Sequence, residues 1–240
     1  MYFMKADKGN SMVVVEKQKY EEDVLKIVNS SSFEEVKSKN PLLKMVRDVN
    51  LAIKDCDQIL GVKKYRLTDT NTQVPQIYAL YKTHKDGMRP IIANVNSPTT
   101  KMAKFLVSEF GKLVQPEGFY VKNSYELADE LKELRIENDE ELVSFDVTAL
   151  YPSVPIPEAL KLLEIWLEKQ DLSDEKVVML ANMTKVCMEQ TTFQFRNKFY
   201  RQKFGTWEIR YLVSSLIYLC PIWNGLSASQ NTLQNSGEGM

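Results

Sequence analysis

Asp146 stands in the run Leu142-Val143-Ser144-Phe145-Asp146-Val147-Thr148-Ala149-Leu150-Tyr151-Pro152-Ser153-Val154-Pro155, a lone acid in an otherwise apolar and β-branched stretch. Such a segment reads as a buried strand over residues 141–147. A carboxylate inside it is costly unless a cation, a metal ion or hydrogen bonds neutralise it. Two arrangements satisfy the pattern. At a strand end, the Asp can hold divalent ions that bind a triphosphate and activate a hydroxyl nucleophile. Otherwise it is a buried carboxylate whose hydrogen bonds close the strand.

Cations gather in two other places. In Lys82-Thr83-His84-Lys85-Asp86-Gly87-Met88-Arg89-Pro90-Ile91-Ile92, the Asp-Gly pair signals a tight hairpin. Lys85 and Arg89 then flank the turn and point into one space, where they can clamp a polyphosphate; a solvated basic turn is the plainer alternative. In Met4-Lys5-Ala6-Asp7-Lys8-Gly9-Asn10-Ser11, Asp7 and Gly9 shape a turn, and Lys5 and Lys8 are placed to reach phosphate.

The elements that must position these residues are mixed. Residues 12–16 read as a strand. Residues 20–28 read as a helix, as do 41–60, with Leu42, Leu43, Val46, Val49 and Ile53 on one stripe. Runs at 74–81 and 89–94 make a protruding ribbon, and Ser124 caps an amphipathic helix carrying Leu127, Leu131 and Leu134. Pro157 opens a helix to about residue 169, and Ser173 caps another to about residue 189, with Asp174 and Glu175 suiting its first turn. Phe193, Phe195, Phe199 and Tyr200 then flank Arg196-Asn197 as a second, aromatic hairpin. The fold class is therefore α/β (α+β).

With 44% hydrophobic and 10% aromatic residues in 240, the chain can bury a real core. Net charge does not announce a nucleic-acid binder, since 31 Lys and Arg meet 32 Asp and Glu, so local placement must carry any such claim. Cys56, Cys187 and Cys220 lack the paired spacing of a zinc site or disulfide framework, which points to a reducing compartment. The start lacks an apolar leader, and the longest apolar stretch, 211–223, is short of the roughly 20 residues that span a bilayer. A soluble, unsecreted protein of the nucleus or cytoplasm, with no membrane partner, is expected.

Taken in order, these segments resemble the reverse transcriptases of Penelope-like retroelements. The Asp-Lys-Gly-Asn turn resembles the family's first fingers motif. The Lys-x-His-Lys stretch leading into Arg-Pro-Ile resembles its fingers hairpin, although Tyr81-Lys82 stands where the family commonly has Pro-Lys. The run 144–155 resembles its first palm motif, an Asp followed five residues later by an aromatic residue. The run 193–206 resembles the approach to its template-gripping motif. The resemblance implies a right-hand polymerase fold, with fingers at 1–111 and a partial palm at 112–206. It implies that Asp146 is catalytic and a Mg²⁺ ligand, that Val147 offers its carbonyl to a second ion, and that Tyr151 is a steric gate against a ribose 2′-hydroxyl. Lys85, Arg89, Val147 and Tyr151 would bind a deoxynucleoside triphosphate. Lys5, Lys8, Tyr200, Gln202 and Gly205 would contact an RNA template and DNA primer.

The resemblance stops after Thr206. The family continues Ala-Met-Gly-x-x-Leu-Ser-Pro, whereas this sequence reads Trp207-Glu208-Ile209-Arg210-Tyr211-Leu212. Trp, Glu and Ile codons, offset by one base with an A in front, can spell Met-Gly-Asn, so 207–240 reads as an out-of-frame tail. No Tyr-x-Asp-Asp occurs. Two Mg²⁺ ions about 4 Å apart need more than one carboxylate, so an inactive reverse-transcriptase fragment is expected, the two-ion site belonging to the complete enzyme. The rival is a non-catalytic remnant of a mobile element that still holds nucleic acid.

Overall fold

The structure, a computed structural model, describes residues 1–37, 40–83, 86–114, 123–137, 139–143 and 155–203. The described chain is mixed α and β. A small antiparallel hairpin, β1 (Tyr2–Lys5) with β2 (Met12–Val15), leads into α1 (Lys17–Val28) and β3 (Phe33–Val36). Next come α2 (Pro41–Ala52), α3 (Cys56–Leu60), the ribbon β4 (Gln76–Tyr81) and β5 (Met88–Ala93), and α4 (Thr100–Phe110). After these follow α5 (Ser124–Glu133), α6 (Ile156–Glu168), α7 (Asp174–Glu189), β6 (Thr192–Phe195) and β7 (Lys198–Gln202).

Local signals place several of these elements. Pro157 lies in the first turn of α6, where its missing N–H costs nothing. The Ser173 side chain accepts from the backbone N–H of Lys176 and starts α7. Arg196 takes a left-handed φ of 54° in the turn joining β6 to β7. Other expectations change. Asn123, rather than Ser124, caps α5, its side chain accepting from the N–H groups of Tyr125 and Glu126. The helix expected over 41–60 is two helices, because the backbone tightens to three-residue hydrogen bonds at Lys54 and Cys56, which buries both Ile53 and Cys56. The buried stripe of α2 is accordingly Pro41, Met45 and Val49, continued by Ile53, and Leu43 is exposed. Leu142 and Val143, the start of the expected palm strand, are exposed and outside any strand.

Two cores result. Helices α2, α3, α4, α6 and α7 bury Val49, Ile53, Leu106, Phe110, Leu163, Leu180 and Met183, with Phe110 edge-on to Trp166 at 5.8 Å. Helix α1 covers one side of a five-stranded sheet ordered β3-β7-β6-β4-β5, burying Val24 and Val28 against Phe33, Ile77, Ala79, Ile92, Phe193 and Tyr200. The ribbon β4–β5 thus does not stand free. Its β4 strand meets β6 in parallel, Gln76 beside Gln194, and among the described residues only its β5 side is a sheet edge. Sheet and helical core each draw on both the 1–111 and 112–206 segments.

An ionic hub ties α1 to the end of β4. Asp23 accepts from Lys19 and Lys26 at 3.0 Å each and from the Tyr81 hydroxyl at 2.9 Å. The lysine hydrogen bonds, Lys19 first, hold its carboxyl down at about 2, below the usual 3.8. A depressed carboxyl stabilises the fold above its unfolded pKa and loses that contribution as pH falls through the folded one. Stability should therefore decline between about pH 4 and pH 2, and Asp23→Asn should flatten this arm when urea midpoints are compared across the range. An unchanged acid slope in the variant would refute the assignment. Burial, then the hydrogen bond to Asp23, pushes the Tyr81 hydroxyl up to about 12.

Candidate nucleotide and nucleic-acid site

The β1–β2 hairpin turns through Asp7-Lys8-Gly9-Asn10, closed by the Ala6 N–H donating to the Ser11 carbonyl at 3.0 Å. Gly9 sits at φ 76°, a left-handed conformation that glycine adopts without penalty. Lys5 and Lys8 are exposed. The register pairs Phe3 with Val14 and Lys5 with Met12, and strand alternation puts all four on one face. Phe3, Met12 and Val14 are exposed there, leaving a bare apolar surface with a lysine at its end.

This turn docks on the ribbon. The Asp7 N–H donates to the Tyr81 carbonyl at 2.9 Å, and the Asp7 carboxylate is ion-paired through Oδ1 to Nε of Arg89 at 2.9 Å. The Asp7 side chain is 4% exposed and Arg89 46%, so the acid is inside and the arginine side chain is half-exposed. The other carboxylate oxygen, Oδ2, is buried without a hydrogen-bond partner. Arg89 lies across from Leu80, and by alternation shares the side of the ribbon away from α1 with Tyr78 and Ile91. Tyr78 is 42% exposed. The connecting loop is closed by the Lys82 N–H donating to the Gly87 carbonyl at 3.1 Å, and Gly87 takes φ 109°. Among the described cations expected to bind phosphate, Arg89 alone is thus fixed by a partner, while Lys5 and Lys8 extend into solvent.

No protein-family model matches the chain, and no curated protein matches it.

The remaining expected site residues divide by location. Asp146, Val147, Tyr151, Lys85 and Gly205 lie outside the described residues. Tyr200 and Gln202 are described and buried, at 3% and 4% exposure. Register explains why: Tyr200 faces Phe193 and Gln202 faces Phe33, all on the α1 side of the sheet, with Tyr200 stacked on Phe193 at 5.8 Å. Neither side chain presents itself to solvent, so in this arrangement they support the aromatic hairpin from within. Its exposed cations are held by α1 and β3: Arg196 pairs with Glu21, Arg201 with Glu34, and Lys198 with Glu35 at 2.9 Å.

Among the described residues, no three His, Cys, Asp or Glu side chains gather to hold a metal ion, and no helix is long and apolar enough to cross a membrane. Sequence reasoning gave Asp7 only a part in shaping its turn. Its contact with Arg89 leaves no signal in either segment, since ion pairs between distant residues follow no period.

Proposed function

We propose that residues 1–206 are the fingers and first half of the palm of a right-hand polymerase, an RNA-directed DNA polymerase similar to those of Penelope-like retroelements. One observation carries most of the support: Asp7 of the Asp-Lys-Gly-Asn turn is ion-paired to Arg89 of the Arg-Pro-Ile hairpin at 2.9 Å. Two segments that the resemblance assigns separately to the fingers meet in one place, and the cation expected to bind a triphosphate is held there on a half-exposed side chain.

In this reading Arg89, with Lys85, binds the triphosphate of an incoming deoxynucleotide, and the exposed Lys5 and Lys8 meet phosphates of the RNA template or DNA primer. Asp146 and the Val147 carbonyl would hold Mg²⁺, which supplies charge neutralisation at the triphosphate and activation of the primer 3′-hydroxyl. Tyr151 excludes a ribose 2′-hydroxyl. Asp146 is the sole acid in the 240 residues that the resemblance assigns to the metals, so the polypeptide by itself is expected to bind but not to polymerise.

The test is primer extension on an RNA template, using this chain and a version extended through the template-gripping motif and the paired aspartates. The extended protein should incorporate deoxynucleotides and the 240-residue chain should not. In the extended protein, Arg89→Ala should raise KM about 10-fold or more, since a charge-assisted contact is worth roughly 1.5–3 kcal/mol. An unchanged KM for every nucleotide would remove the clamp. Salt-dependent binding of an RNA–DNA hybrid, with no incorporation even by the extended protein, would select a non-catalytic nucleic-acid-binding remnant instead.

A further inference from the structure

We propose that Asp7 is the positioning residue for Arg89, gripping the guanidinium at Nε so that its Nη1/Nη2 edge faces outward to a phosphate oxyanion. The inference rests on the reading of Arg89 as an oxyanion ligand given above, and adds to it the residue that sets the geometry.

A guanidinium offers its five N–H groups along two useful edges, Nε with one Nη, and the Nη pair. A carboxylate serving stability alone does best with both oxygens on one edge. Here the contact is through Nε and Oδ1 at 2.9 Å, while Oδ2 is buried and has no hydrogen-bond partner. Among the described residues no other group pairs with Arg89, and its side chain is 46% exposed. The carboxylate is poorly placed to follow a moving arginine, because its own backbone is tied down. The Asp7 N–H is bonded to the Tyr81 carbonyl at 2.9 Å, and Ala6 to Ser11 at 3.0 Å. Tyr81 belongs to β4 and Arg89 to β5, so one residue staples both strands of the ribbon. A buried polar atom left unsatisfied in this way calls for a reason, and fixing the direction of a half-exposed cation supplies one.

The pairing also decides what kind of recognition results. With Asp7 ionised, the pair carries no net charge, so attraction at a distance is weak and affinity depends on the two parallel N–H groups of the open edge. Lysine has no such edge and cannot substitute for it.

The test titrates the 240-residue chain with inorganic tripolyphosphate by calorimetry, while ¹⁵N NMR follows the Arg89 Nε–H resonance, assigned by its loss in Arg89→Lys. The parent should bind. Asp7→Ala should bind about 10-fold or more weakly, the scale of one charge-assisted contact, with the Nε–H signal broadened by solvent exchange. Asp7→Asn, whose amide oxygen can take the place of Oδ1 beside Nε without the charge, should recover most of that loss, which a role through charge alone would not allow. Arg89→Lys should fail as Asp7→Ala does despite keeping its charge. Asp7→Glu, which lengthens the tether by one methylene, makes the same comparison if Asp7→Ala does not fold, and should also weaken binding. Binding by Asp7→Ala or Asp7→Glu as tight as the parent's, or tighter, would overturn the proposal while leaving Arg89 an oxyanion ligand. Failure of the parent to bind, with its Nε–H signal intact, would overturn the oxyanion reading of Arg89 and this proposal together.

Discussion

Asp146→Ala, made in the extended protein, should lower nucleotide incorporation by on the order of 1,000-fold or more, because metal-borne stabilisation of transition-state charge is worth several kcal/mol. The expectation follows from the carboxylate's setting. Leu142, Val143, Phe145 and Val147 surround it in sequence with apolar surface, and the five-residue step to Tyr151 matches the palm pattern. Asp146→Asn should fail nearly as completely, since it keeps the shape and loses the charge. The plainer alternative, a hydrogen-bonded acid closing a strand, makes the opposite forecast: lower thermal stability with incorporation preserved. Primer extension at saturating nucleotide, alongside melting temperatures, separates the two. Retention of more than about a tenth of the parent's rate in both variants would end the catalytic assignment.

The second large effect is on folding. Phe193→Ala should cost about 3–5 kcal/mol of unfolding free energy, the range for emptying a buried phenylalanine site. Phe193 is fully buried, edge-on to Phe33 at 5.3 Å and stacked on Tyr200 at 5.8 Å. It sits on β6, the strand through which the ribbon β4–β5 joins the rest of the sheet by the bridge from Gln76 to Gln194. A domain is stable by only about 5–15 kcal/mol, so the loss consumes much of what exists. Phe193→Leu should cost much less, since it refills most of the volume. Chemical denaturation reads both, and a loss under about 1 kcal/mol for the alanine variant would mean that the pocket collapses or that the strand pairing is wrong.

Local chemistry was legible in the amino-acid sequence. Pro157 and Ser173 mark the starts of α6 and α7, Asp86-Gly87 and Arg196-Asn197 mark two hairpin connections, and the β-branched run at residues 12–15 marks β2. Each signal lies within a few residues of its consequence. Features that depend on which face meets which are not written locally. Leu43 looks like a core residue of a helical stripe and is exposed, because α2 buries Pro41, Met45 and Val49 instead. Tyr200 and Gln202 look available to nucleic acid and are buried, because the neighbouring strands put Phe193 and Phe33 opposite them under α1. Residues 33–36 gave no strand signal of their own; they form β3 because β7 offers an edge to pair with.

What the sequence determined by itself is therefore the mixed α/β class, the starts of α2, α6 and α7, and the two hairpins. The tertiary structure alone decided the joining of both hairpins into one sheet and the meeting of Asp7 with Arg89. Turns and caps are written in residues that touch along the chain, whereas a parallel strand pairing or an ion pair between distant segments forms only when the packing of α1 and the sheet brings them together, and neither leaves a period or a spacing to read.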